Sequence, residues 1–165
     1  MNRVGEKLAA IAIQSGNADE TDLFGRSAIN RFYYACFLDA RRAVLRIRPD
    51  LRILHKQFPT DLKGKIADTV RREISLLEKR SLISSREATT YRTTLLIAVS
   101  ALSEILAKAY KLRVTADYEP DTKAVKAGAH IILSGTSNTV AKDWHRQTGH
   151  CVARIMKLWS DLGQP

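Results

Sequence analysis

The chain is poor in residues that break helices and in residues that staple small proteins. Four prolines and eight glycines are spread over 165 positions, which leaves room for long uninterrupted helices. The two cysteines, Cys36 and Cys151, fall inside apolar helical patterns. They form no CxxC and no Cys/His cluster, which argues against a zinc or dithiol site and leaves buried thiols as the simplest use. No apolar run approaches membrane-spanning length. Glu6 and Lys7 interrupt the first sixteen residues, which therefore lack the apolar core of a secretory leader. The expected compartment is the cytoplasm, with no membrane partner. GxGxxG, P-loop, HExxH and GxSxG patterns are absent, and with them the motif-borne chemistries they mark. No metal and no cofactor is expected. There is no internal repeat and no low-complexity tract.

What is present is a soluble globular composition, 45% hydrophobic and 27% charged, long enough for one domain to bury a core without staples. Charge is the informative excess. The formal net charge is +10. Ten Lys and Arg between Arg41 and Arg72 face three Asp, so this stretch holds +7 and the rest of the chain +3. Concentrated positive charge attracts polyanions, RNA or DNA first among them; it also suits a merely solvated face.

Apolar periodicity predicts helices along most of the chain. Residues 3–14 place Val4, Leu8 and Ile11 on one face. Asn17 and Glu20 resemble a capping box opening a helix over 19–47, which Pro49 stops. Residues 48–61 form a connector with two prolines and His55. Leu62, Ile66, Val70, Ile74 and Leu77 mark a helix over 61–79. A second capping box, Ser84 to Glu87, opens a helix to Leu112. Its seam runs Ala88, Tyr91, Leu95, Ala98, Leu102, Ile105, Ala109 and Leu112 in steps of three and four. Leu96, Val99 and Leu106 add apolar surface that either the core or a second protomer can use. A polar loop is expected over 113–121, a further helix over 121–133, a break at Ser134–Asn138 and a last helix over 138–162. The reading is all-α: an up-and-down bundle of four to five core helices over 1–133, with a C-terminal helical extension, 134–165, packed on the same domain.

The organising stretch is Arg26 to Arg42, RSAINRFYYACFLDARR. Small residues alternate with aromatic ones, so neighbouring helices can approach while rings fill the gaps. Arg26, Ser27, Ala28, Ile29, Arg31, Tyr33, Tyr34, Ala35 and Phe37 carry a pattern that resembles the signature helix of HEPN domains, small helical proteins of prokaryotes. Arg113 through Pro120, R-V-T-A-D-Y-E-P, is similar to the R-x3-ADY-[DE]-P stretch of one HEPN branch. The resemblance covers roughly residues 3–133 and implies a HEPN-type bundle, a homodimer, and work on RNA in a toxin–antitoxin or anti-phage setting.

Many HEPN proteins cut RNA without metal through an R-x4–6-H motif, two copies meeting at a dimer cleft. The RNA 2′-hydroxyl attacks, a His moves the proton and an Arg holds the phosphate. Arg113 stands where that Arg belongs. The positions that bracket the His are Asp117, Tyr118, Glu119 and Pro120. A phenol with a pKa near ~10 is a poor base at neutral pH. Two readings therefore stay open. In one, the protein is a metal-independent endoribonuclease with Arg113, Asp117 and Tyr118 at its centre, and with Arg26, Arg31, Arg41, Arg42, Arg46, Arg48 and Arg52 drawing the strand in. In the other it is a non-catalytic HEPN dimer that binds RNA or a partner such as an antitoxin or nucleotidyltransferase. Asp117 can equally pair with Arg113 and lock its own segment.

Overall fold

A computed structural model describes residues 1–164. The all-α class is what the chain adopts, with one small sheet added. The elements are α1 (Asn2–Gln14), α2 (Ala18–Ile47), α3 (Phe58–Asp61), a π-helical turn (Leu62–Ile66), α4 (Ala67–Lys79), α5 (Ser85–Tyr118), β1 (Val125–Ala127), β2 (His130–Leu133), β3 (Thr136–Ser137) and α6 (Asn138–Asp161). Among the described residues no helix is long and apolar enough to cross a membrane. The residues group into two compact units. Met1–Leu38 with Leu106–Gln147 form the first; Asp39–Ile105 with the described residues from Thr148 onward form the second.

The first unit is built on the front of α2. Ala28, Ile29, Phe32, Tyr33 and Cys36 are buried on it. Tyr33 stacks on Phe37 at 5.8 Å between ring centres and tilts toward Tyr110 at 6.1 Å. Burial pushes the Tyr33 phenol far above its ordinary pKa, against the opposing pull of Arg113. The turn before α2 is set by Asn17, whose side-chain oxygen accepts the backbone N–H of Asp19 and Glu20. Only half the expected capping box forms, because the Glu20 carboxylate takes the Ser15 hydroxyl instead. Helix α1 turns a different face inward from the one its apolar spacing suggests. Gly5, Ala9 and Ala12 are buried, while Val4 and Ile11 stay exposed. The small residues face in because the Phe32 ring lies where a Cβ on Gly5 would stand.

Two expectations are corrected here. The segment from Arg113 does not leave the helix: α5 continues through Tyr118. Residues 121–133 are not helical. They lead into an antiparallel sheet of order β1-β2-β3, with Val125 opposite Ile132, Ala127 opposite His130, and Leu133 opposite Thr136. Ile131 and Leu133 are buried with a less buried Ile132 between them, a period of two rather than 3.6. The turn residues decide it. Ser134 and Gly135 both take positive φ, 47° and 74°, the pairing that a two-residue hairpin turn demands.

The second unit contains the end of α2, α3, the π turn, α4, the front of α5 and most of α6. Phe58, Leu62, Ile66, Val70 and Ile74 are all buried. Steps of four overrun a 3.6-residue turn and would drift off the core face. The π turn corrects the phase: Ala67 N–H reaches back to Leu62 O, five residues earlier. On α5 the predicted capping box forms in full, Ser84 N–H on the Glu87 carboxylate and Glu87 N–H on the Ser84 hydroxyl. Of the three apolar residues named beyond its seam, Val99 and Leu106 are buried in the chain's own packing; Leu96 stays exposed, as does its neighbour Ile97.

Candidate functional site

In the first unit the end of α5 lies against the front of α2. Helices leave their last carbonyls without partners, and here one arginine takes Thr115 and Ala116 of the last turn together with two carbonyls of the turn that follows. Arg26 Nε donates to Ala116 O at 2.8 Å. Its Nη1 donates to Thr122 O at 2.8 Å and Glu119 O at 3.0 Å, and Nη2 to Thr115 O at 3.3 Å. The cation also sits at the negative end of the α5 dipole. Arg26 thus closes the helix and holds the turn after it. One α2 turn earlier, Asp22 Oδ1 accepts Ala124 N–H at 2.7 Å and Oδ2 lies 3.3 Å from Lys123 Nζ, fixing the entry to β1.

Arg113 and Asp117 come together as their four-residue spacing on α5 allows, and the Tyr118 ring at the end of the helix reaches back to the same guanidinium. Arg113 Nε is 2.8 Å from Asp117 Oδ2, but its N–H is not aimed at that oxygen, so the contact is charge pairing rather than a directed hydrogen bond. The other carboxylate oxygen of Asp117 accepts from Asn30 Nδ2 at 2.6 Å. Arg113 Cζ lies 5.2 Å from the centre of the Tyr118 ring, within cation–π range. Burial works against the Arg113 charge, yet the contacts with Tyr118 and Asp117 outweigh it and raise its pKa above the ordinary value. The guanidinium is a fixed cation held between a carboxylate and a ring. Beside it runs a cleft of about 380 Å³ lined in part by Ser27, Asn30, Arg31, Asp117 and Lys123.

The chemistry this cluster offers is recognition more than proton transfer. Among the described residues no histidine is hydrogen-bonded or ion-paired to Arg113, Asp117 or Tyr118. Both Asp117 oxygens are engaged, one beside Arg113 and the other by Asn30. His130 sits on β2 with its Nδ1 3.0 Å from Thr139 Oγ1, and His150 is exposed on α6 in the second unit. Among the described residues no group of three or more His, Cys, Asp or Glu is arranged to hold a metal ion.

The other arginines expected to meet RNA divide by environment. Arg31 is exposed at the cleft. Arg26 is occupied by carbonyls. The rest lie in the second unit. Arg48 forks onto Asp50 at 2.7 and 2.8 Å and holds that exposed carboxyl down to about 2. Arg42 stands 3.9 Å from Asp39. Arg41, Arg46 and Arg52 are exposed and carry no ion pair among the described residues.

Sequence reasoning missed Asn30 and Asp22 and the capping role of Arg26. A signal was present: Asp22, Arg26 and Asn30 stand at i, i+4 and i+8, a polar stripe along one side of α2. Their partners lie 87 to 102 residues away, a distance periodicity does not bridge. No family model, characterised protein or solved structure was found to match the chain.

Proposed function

We propose that this chain is a HEPN-like protein that binds RNA and does not cut it. The observation that carries the reading is the charge left over after pairing. Of the ten Lys and Arg between positions 41 and 72, Arg41, Arg46, Arg52, Lys56, Lys63 and Arg72 are exposed and form no ion pair among the described residues. The other four face Asp39, Asp50, Asp61 and Asp68. Six unneutralised cations within one unit are the kind of footprint a phosphate backbone binds, with release of its counterions. The engaged state of Asp117 and the absence of histidine from the Arg113 cluster favour binding over transesterification.

The test is a gel shift on single-stranded RNA at several salt concentrations, with the same samples run on a denaturing gel. Engagement of all six cations predicts that log affinity falls against log salt with a slope of about −4, from roughly 0.7 per phosphate contact. Reversing Arg41, Lys63 and Arg72 to Glu is expected to weaken binding at least about tenfold and to flatten that slope. The RNA stays intact. Affinity that ignores salt overturns the RNA reading. Cleavage that disappears in Arg113→Ala makes the protein a nuclease instead.

A further inference from the structure

We propose that a groove in the second unit receives the Tyr118–Asp121 turn of a second copy of this chain. The groove, about 230 Å³, lies between the end of α2 and α6 and is lined by Asp39, Arg42, Ala43, Arg46, Gly149, Val152 and Met156. Its floor is apolar and its rim is net positive. Arg46 carries no ion pair among the described residues, and Arg42 is only loosely matched by Asp39 at 3.9 Å.

Gly149 is what opens it. It stands inside the 24-residue helix α6, where glycine is a poorer helix former than alanine. No packing accounts for it, because a Cβ there would meet nothing within 4 Å. Gly149 lines the groove together with Val152 and Met156 and with the two arginines, Arg42 and Arg46. An enclosed apolar space of about 150 Å³ suffices for a benzene-sized ring.

The chain itself carries a segment of matching chemistry. Tyr118 is 67% exposed and, among the described residues, no other Phe, Trp or Tyr is as open to solvent. Glu119 and Asp121 follow it, both exposed and neither ion-paired among the described residues. An aromatic ring over Gly149, with carboxylates meeting Arg42 and Arg46, combines apolar burial, cation–π attraction and charge-assisted hydrogen bonds. The turn is also pre-organised. Arg26 pins the carbonyls of Thr115, Ala116, Glu119 and Thr122, so little conformational freedom remains to be lost on docking. This contact shares Arg46 with the cations proposed for RNA, so it is tested on RNA-free protein.

The experiment measures the mass of the RNA-free protein by sedimentation velocity across a concentration series. Self-association is expected, and it should weaken at least about tenfold in Gly149→Leu, which fills the groove while improving helix propensity. Arg46→Glu and the double variant Glu119→Arg/Asp121→Arg should each lose association. Mixing those two proteins should restore it, since the unchanged turn of the first meets the unchanged groove of the second, and the reversed turn meets the reversed groove. A wild-type protein that stays monomeric throughout overturns the proposal, as does association unchanged in Gly149→Leu, or a mixture no tighter than its components. If Gly149→Leu abolishes RNA binding and leaves association intact, the groove belongs to the polyanion and the proposal fails, while the RNA reading stands.

Discussion

Arg26 shows how much one side chain can hold. Its side chain is 15% exposed, and its fork serves four carbonyls in a stretch where the helix ladder has run out. Arg26→Ala is expected to cost about 2–3 kcal/mol, from lost charge-assisted hydrogen bonds and carbonyls left without a donor. The midpoint of urea unfolding reads that loss. Arg26→Lys should recover less than half, because an ammonium is a point donor and cannot match a planar fork. Amide exchange should quicken over residues 115–124 in both variants, before the rest of the first unit is affected. If Arg26→Lys is as stable as the original, the fork is not what matters. Asn30 and Asp117 work differently: they fix a cation in place rather than close a helix.

At the scale of the element, two helical glycines carry opposite expectations. Gly25 on α2 faces the sheet, and an added Cβ would stand 2.7 Å from Ile131 Cγ2 and 2.9 Å from Ala124 Cβ. Gly25→Ala should therefore cost about 1–3 kcal/mol through overpacking. Gly149 on α6 faces open space, and Gly149→Ala should add up to about 1 kcal/mol. Thermal melts of the two variants give opposite shifts; shifts of the same sign would contradict the packing described for α2. The π turn makes a related point. A core face stepped in fours is kept in line by widening one turn, so Phe58 and Ile74 serve one core despite the strict spacing between them.

At the scale of the molecule, neither unit is a continuous piece of chain. Helices α2, α5 and α6 each contribute residues to both. Removing residues 134–165 takes Ala141 and Trp144 from the first unit, and Ile155, Leu158, Trp159 and Leu162 from the second, all buried. At about 1.5–3 kcal/mol for each large apolar side chain, the loss is comparable to the whole stability of about 5–15 kcal/mol expected of a small protein. The fragment 1–133 should show no cooperative melt by circular dichroism. A sharp transition close to that of the full chain would mean the first 133 residues fold without α6. Charge is divided as unevenly: the second unit holds 16 Lys and Arg against nine Asp and Glu, the first 11 against eight.

The sequence alone determined the long helices, because apolar repeats, capping boxes and Pro49 are local signals that act over one or two turns. It also determined where charge is concentrated, but Arg113 and Asp117 meet across one turn only because the chain stays helical where a polar loop was expected. The sheet at 125–137 escaped it: the break at Ser134–Asn138 was legible from its turn formers, but three strands of two to four residues carry too little alternation to outweigh helical composition. The inward face of α1 escaped it as well, because a close approach to Phe32 makes small residues better core than Val4 and Ile11. Only the tertiary structure decided which cations are spent and which are free. Arg26 is taken up by carbonyls 89 to 96 residues away, and Arg46 is left open beside Gly149, because partner choice depends on distances through space that the order of residues does not contain.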